Sequence, residues 1–353
     1  MADGLRRRDV LLSAAAATAL AAAPAWAATE GQAAKAPFRV DFHHHILPPK
    51  WIEAARSHKP DNTWGPNLIG WTPAIAIEQM DRHRIAYAVT ELGLPGVWWA
   101  PPDEAAALAR QCNEYAAQMA RDYPGRFGMF ATIPLPHVDE TLKEIAYAYD
   151  TLKADGIGFL TSYGTLWPGD QSFAPVWQEL NRRKAVLHFH PTVANCCIGL
   201  IPDVMTAVEE YLFDTARAIT SLLYSGTLSK YPDVRFIFSH AGGAFPPLSD
   251  RITGSAKRTE KIRARLPHGP DAELAKLYFD VATSVNPVTF GALRRWTTTD
   301  RIVLGTDHPY VAMDYTVDAL DHTELSAKDR QRINTGNALA LLPHLRERLS
   351  HAG

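Results

Sequence analysis

Eight short β-rich runs separated by helical patterns leave this 353-residue chain few architectures to adopt. The runs lie at residues 39–43, 86–90, 127–131, 156–160, 185–190, 234–238, 277–281 and 301–305. Helical patterns occupy residues 104–121, 138–153, 173–183, 215–230 and 288–296, and a final one covers 327–346. Strands and helices in alternation argue for parallel βαβ units. Eight such units argue for an α/β chain closed into a (β/α)8 TIM barrel. An open doubly wound sheet would call for a glycine-rich phosphate loop after its first strand, and none follows here. One connection is long: residues 48–77, with Trp51, Trp64 and Trp71, precede the second helix. It predicts a loop insertion after the first strand, above the barrel's C-terminal face, where long ordered loops are usually functional. A second long segment, residues 192–213, leaves the fifth strand on the same face.

The ends of the chain read differently. Arg6-Arg7-Arg8 leads into an apolar, alanine-rich run over residues 11–23, and Ala25-Trp26-Ala27 follows. This pattern resembles a twin-arginine-type signal peptide over residues 1–27 and predicts export to the periplasm. The run falls short of the ~20 apolar residues that span a bilayer, so no stable membrane span is expected after cleavage. Residues 28–37 read as a linker and 38–347 as a single barrel domain. With 36 basic and 38 acidic side chains the formal charge is −2, without the basic excess of a nucleic-acid-binding protein. Three cysteines build no disulfide framework, and free buried thiols are expected, the adjacent Cys196 and Cys197 included.

Ionisable side chains gather at the strand ends. His43 and His45 are two apart at the end of the first strand, and alternation points both toward the barrel mouth while His44 faces the helices. Two imidazoles on one strand make half of a first-row metal site. His190 ends the fifth strand, His240 the sixth and Asp307 the eighth. Active sites of such barrels are built from these ends, so the four strands are expected to converge on one centre. His188 shares the inward face one step deeper.

The stretches Asp41-Phe42-His43-His44-His45-Ile46-Leu47-Pro48, His240-Ala241-Gly242-Gly243-Ala244-Phe245-Pro246 and Gly305-Thr306-Asp307-His308-Pro309 resemble the amidohydrolase superfamily in its metal-dependent decarboxylase branch. Residues 133–136, 213–217 and 225–228 resemble more narrowly the 6-methylsalicylate decarboxylase group. The resemblance implies that His43, His45, His190 and Asp307 hold one divalent metal, zinc above all and manganese as the alternative. The fourth strand ends Gly158-Phe159-Leu160-Thr161, without the lysine or glutamate that bridges two metals in hydrolytic relatives. It implies non-oxidative decarboxylation of an aromatic acid of the 2-hydroxybenzoate type, with Asp307 as proton donor assisted by His240. Arg251 would bind a carboxylate in its own or a neighbouring subunit's site, within a homodimer. Trp98, Tyr163 and Phe213 would line an aromatic pocket. A lactone- or amide-cleaving hydrolase, or a hydratase, is the alternative chemistry for the same centre.

Overall fold

A computed structural model of the chain describes residues 38–56, 58, 68 and 70–350. The expected signal peptide and linker, and Trp64, lie outside these residues. Eight strands form one sheet in sequence order, each parallel to the next. They are β1 (Arg39–Ile46), β2 (Ile85–Leu92), β3 (Phe127–Thr132), β4 (Gly156–Leu160), β5 (Val186–His190), β6 (Arg235–Phe238), β7 (Tyr278–Asp280) and β8 (Ile302–Val303). Backbone hydrogen bonds close the sheet on itself. Phe42 N donates to Leu304 O at 2.9 Å, and His45 N donates to His308 O at 2.7 Å. The fold is the (β/α)8 barrel that the alternating pattern predicts.

Helices cover the outside: α1 (Pro49–Ala55), α2 (Pro73–Arg82), α3 (Pro102–Asp122), α4 (Val138–Tyr147), α5 (Ala174–Arg182), α6 (Thr206–Ser225), α7 (Phe245–Arg258), α8 (Thr289–Trp296) and α9 (Met313–His322). Two apolar layers result. Val40, Phe42, Tyr87, Val89, Phe130, Val186, Ile237 and Val303 form one cluster with Ala338, Leu341 and Leu345 from the C-terminal helices. The other lies between strands and helices and includes Phe159, Trp177, Phe189, Phe238, Phe279 and Trp296.

β1 contains a bulge. Asp41 pairs with Ala88 but His44 pairs with Thr90, so three steps on β1 match two on β2. The extra residue resets which side chains face inward. Val40 and Phe42 face inward before the bulge, and His43 and His45 do so after it.

Several boundaries differ from the sequence pattern. The helix expected over 215–230 starts at Thr206 and stops at Gly226, whose φ of 81° suits a left-handed C-cap. The loop after β5 therefore ends well before Phe213. The helix expected over 327–346 is broken, with Pro343 between Asn337–Leu341 and Leu345–Ser350; proline lacks the N–H a continuous helix requires. The insertion after β1 carries α1, whose Trp51 is buried and donates from Nε1 to Gly96 O at 2.9 Å. Cys196 and Cys197 are joined as a disulfide, which corrects the expectation of free thiols; Cys112 is free and buried. Among the described residues no helix is long and apolar enough to cross a membrane.

Candidate metal centre

At the C-terminal mouth of the barrel, ligand atoms of His43, His45, His190 and Asp307 all lie within 4.8 Å of one another. β1 delivers two of them, β5 the third, and the loop after β8 the fourth. His43 Nε2 and His45 Nε2 are 3.1 Å apart; Asp307 Oδ1 is 3.0 Å from His45 Nε2 and 3.4 Å from His43 Nε2. Metal bonds of about 2.0–2.2 Å imply donor–donor edges of roughly 3.0–3.5 Å, so the spacing fits one divalent cation. The second nitrogens of His43 and His190 support this use, whereas His45 Nδ1 is buried without a hydrogen-bond partner. His43 Nδ1 faces Asp280 Oδ2 at 2.9 Å, and His190 Nδ1 faces Pro191 O at 2.8 Å. Each of these oxygens accepts a proton-bearing nitrogen, which leaves both Nε2 lone pairs turned to the centre.

The electrostatics of three of the four donors match a site made for a positive charge. At His43 burial lowers the pKa, but Asp280 and Asp307 outweigh it and raise it, so a metal must displace a proton there. Burial pushes the pKa of His190 well below the ordinary histidine value, and the facing rings of His45 and His43 add to the shift. Burial likewise lowers His45, with His43 adding to it against the pull of Asp307. For Asp307, burial opposes ionisation but His43, His45 and His240 outweigh it, and its carboxyl is held below the usual range. Neutral imidazoles and an ionised carboxylate are the forms that bind metals.

His240 stands beside the four. It follows β6 at φ 53°, and Asp307 has φ 64°, so both occupy left-handed backbone, which side chains larger than glycine rarely adopt. The His240 ring lies 5.0 Å from that of His43. Its Nδ1 contacts Ala282 O and Thr283 Oγ1, each at 3.0 Å, and burial lowers its pKa. Nδ1 is thus committed to these oxygens, and the lowered pKa favours the neutral ring. His44 is fully buried on the other face, bonded from Nδ1 to Asp41 Oδ2 at 3.1 Å and set against Phe127.

Two residues escaped the sequence reading. Asp280, at the end of β7, and Glu91, on β2, are buried and hold His188 between them. His188 Nδ1 is 2.8 Å from Glu91 Oε1, and His188 Nε2 is 2.7 Å from Asp280 Oδ2. Burial works against a charge on His188, but these two carboxylates raise its pKa to about 10. The trio His43, His188 and Asp280 also has ligand-like spacing, but its atoms already share hydrogen bonds. Asp280 is a single aspartate closing an apolar strand, and only its proximity to His43, 237 positions away, marks it.

The remaining expected residues fall into two places. Trp98 and Tyr163 line a small cavity of ≈ 20 Å³ with Glu91, Gly158 and Leu160, on the β2–β4 side of the mouth. Phe213 and Arg251 line a different cavity, of ≈ 670 Å³, with Trp167, Arg217 and Tyr224. That one lies between α6 and α7, and none of the four clustered side chains lines it.

Known proteins share this arrangement of chain. A family described as amidohydrolase matches residues 40–344. The decarboxylase macB of Penicillium terrestre is 34% identical over 328 residues, 87% of this chain and 96% of that protein. The 6-methylsalicylic acid decarboxylase of Penicillium expansum is 34% identical over 336 residues, covering 89% and 99%. A dihydroxybenzoic acid decarboxylase from Polaromonas sp. JS666, solved with manganese and 2-nitroresorcinol, has a TM-score of 0.78 at 22% identity. The likeness covers 89% of this chain and 99% of that one.

Proposed function

The chain belongs to the amidohydrolase family, and from that membership we propose that it is a metal-dependent, non-oxidative decarboxylase of aromatic carboxylic acids. The observation that carries this reading is the convergence of His43, His45, His190 and Asp307 beside His240, in a chain about one-third identical over nearly its full length to decarboxylases. We further propose a 2-hydroxybenzoate such as 6-methylsalicylate as substrate. Zinc is the ion proposed, since three imidazoles and one carboxylate match its usual donors; manganese on elemental analysis would replace it.

The bound ion would supply positive charge for the substrate carboxylate and the neighbouring phenolic oxygen. The protein's own groups handle the proton. Asp307, ionised at rest, takes the phenolic proton and gives it to the ring carbon that bears the carboxylate. The carbon–carbon bond then breaks, its electron pair returns to the ring, carbon dioxide leaves, and the phenolate regains a proton from solvent. His240, whose Nδ1 is held by Ala282 and Thr283, hydrogen-bonds the substrate through Nε2 and holds it under Asp307. Trp98 and Tyr163 supply aromatic surface on one side of the mouth.

Carbon dioxide release from 6-methylsalicylate and other 2-hydroxybenzoates, measured alongside metal content, tests this function. Asp307→Asn is expected to lower metal content modestly and turnover by at least ~10²-fold; His240→Ala is expected to keep the metal and lose most activity. Parent-like turnover in both variants refutes the assigned roles. A metal-loaded parent that opens lactones and releases no carbon dioxide is instead a hydrolase.

Two further proposals concern setting. The twin-arginine pattern of residues 1–27 directs export to the periplasm, and replacing Arg7 and Arg8 with Lys is expected to leave precursor in the cytoplasm. Normal export of that variant would point to the general secretory route. The working unit proposed is a homodimer, with Arg251 serving a substrate carboxylate in its own or the neighbouring subunit's site.

A further inference from the structure

Asp280 uses both oxygens fully. Oδ2 accepts from His43 Nδ1 at 2.9 Å and from His188 Nε2 at 2.7 Å. Oδ1 accepts from the backbone N–H of His240 at 3.0 Å and of Ala282 at 2.9 Å. A carboxylate offers about four lone-pair sites, and here four donors converge on a side chain with no exposed surface. The two oxygens serve different halves of the centre. Through Oδ2 the carboxylate touches a residue of the metal cluster. Through Oδ1 it holds the backbone of His240 in its left-handed conformation. It also holds Ala282, whose carbonyl accepts from the His240 ring.

We infer that Asp280 is the positioning residue that joins the two halves, committing His43 to the tautomer with Nε2 open to metal while it aims His240 at the substrate. The inference rests on the metal-site reading and adds a role to a residue outside the ligand set. A carboxylate only accepts, so Nδ1 of His43 carries a proton, and in the neutral ring the lone pair falls on Nε2 toward His45 and Asp307. An ordinary buried ion pair with His188 would require one oxygen of Asp280. It would leave the tautomer of His43 and the backbone of His240 to other contacts.

Asp280→Asn separates these roles, because an amide has one accepting and one donating end. With its oxygen toward the two backbone amides, the amide N–H₂ faces His43 Nδ1. His43 then accepts there, its proton moves to Nε2, and the metal position is blocked. With the amide reversed, the His240 and Ala282 N–H groups lose their acceptor. Neither orientation serves both halves.

The test has two arms. Chelator competition with Zn²⁺ alone is expected to show a ~10–100-fold weaker affinity in Asp280→Asn than in the parent, with the far-UV spectrum unchanged. Long-range ¹H–¹⁵N correlation on the metal-free parent is expected to find His43 protonated at Nδ1, a measurement that requires no variant to fold. Parent-like Zn²⁺ affinity in a folded Asp280→Asn, or a neutral His43 in the parent with its proton on Nε2 and none on Nδ1, overturns the inference. A parent that takes up no metal refutes the metal-site reading instead, and the tautomer measurement still decides the role of Asp280.

Discussion

His43 and His44 are neighbours in the chain and opposites in the barrel. Both are fully buried, so exposure does not separate them; partners do. His43 joins the cluster of four at the mouth, whereas His44 bonds Asp41, whose Oδ1 accepts from Thr306 N at 3.0 Å beside Asp307. His43→Ala or His190→Ala is therefore expected to bring metal content from about one ion per subunit to near zero. His44→Ala is expected to keep the ion and lose stability of roughly 2 kcal/mol, for a lost buried hydrogen bond and some packing. Elemental analysis and denaturant unfolding of the same preparations check both. A metal-free His44→Ala would show that the Asp41 contact governs the site. His43 and His45 were legible from their spacing alone. The bulge that sets them was not, because strict alternation from the inward Val40 and Phe42 would have turned His44 to the centre instead.

At the scale of elements, α6 ties together the loops that leave β4 and β5. Its Asp214 is buried, and Oδ2 accepts from Thr161 Oγ1 at 2.6 Å and from Ser162 Oγ at 3.0 Å. Thr161 Oγ1 in turn accepts from Thr192 N at 2.9 Å, two residues beyond His190. Burial pushes the Asp214 carboxyl up to about 6, against the lowering effect of the two hydroxyls. The folded value lies above the ordinary 3.8, so the folded state favours the protonated form. The stability this contributes is complete below about 3.8 and is lost as pH rises through about 6. Asn keeps an accepting oxygen and never ionises. Asp214→Asn is thus expected to match the parent melting temperature near pH 4 and to exceed it by about 2–4 °C at pH 7.5, the shift for roughly 1 kcal/mol. A lower melting temperature at pH 7.5 would mean that the ionised form stabilises α6 through Arg217, 3.9 Å away. The sequence pattern foretold a helix here but began it at residue 215, because the exposed apolar residues of its first turns mask the amphipathic period.

At the scale of the whole molecule, a run of apolar side chains faces outward along residues 198–213. Leu200, Met205 and Val208 are 61%, 51% and 59% exposed, and Ile198, Ile201 and Phe213 accompany them. Exposed apolar side chains grouped in this way suit the interface of the proposed homodimer, and they adjoin the α6–α7 cavity that Arg251 lines. For the proposed homodimer, sedimentation is expected to give two chains per particle, and a Met205→Glu, Val208→Glu double variant is expected to dissociate. A parent that sediments as one chain refutes the dimer. The sequence by itself determined the number of strands, their parallel order and the level at which His43, His45, His190, His240 and Asp307 emerge, since these follow from local periodicity and from the ends of strands. Only the tertiary structure decided which carboxylate backs His43, where the bulge falls, and that Phe213 of α6 and Arg251 of α7 line a shared cavity apart from the cluster. Those outcomes depend on register between segments distant in the chain, and a one-residue slip in register reverses every side chain on a strand without altering the local pattern.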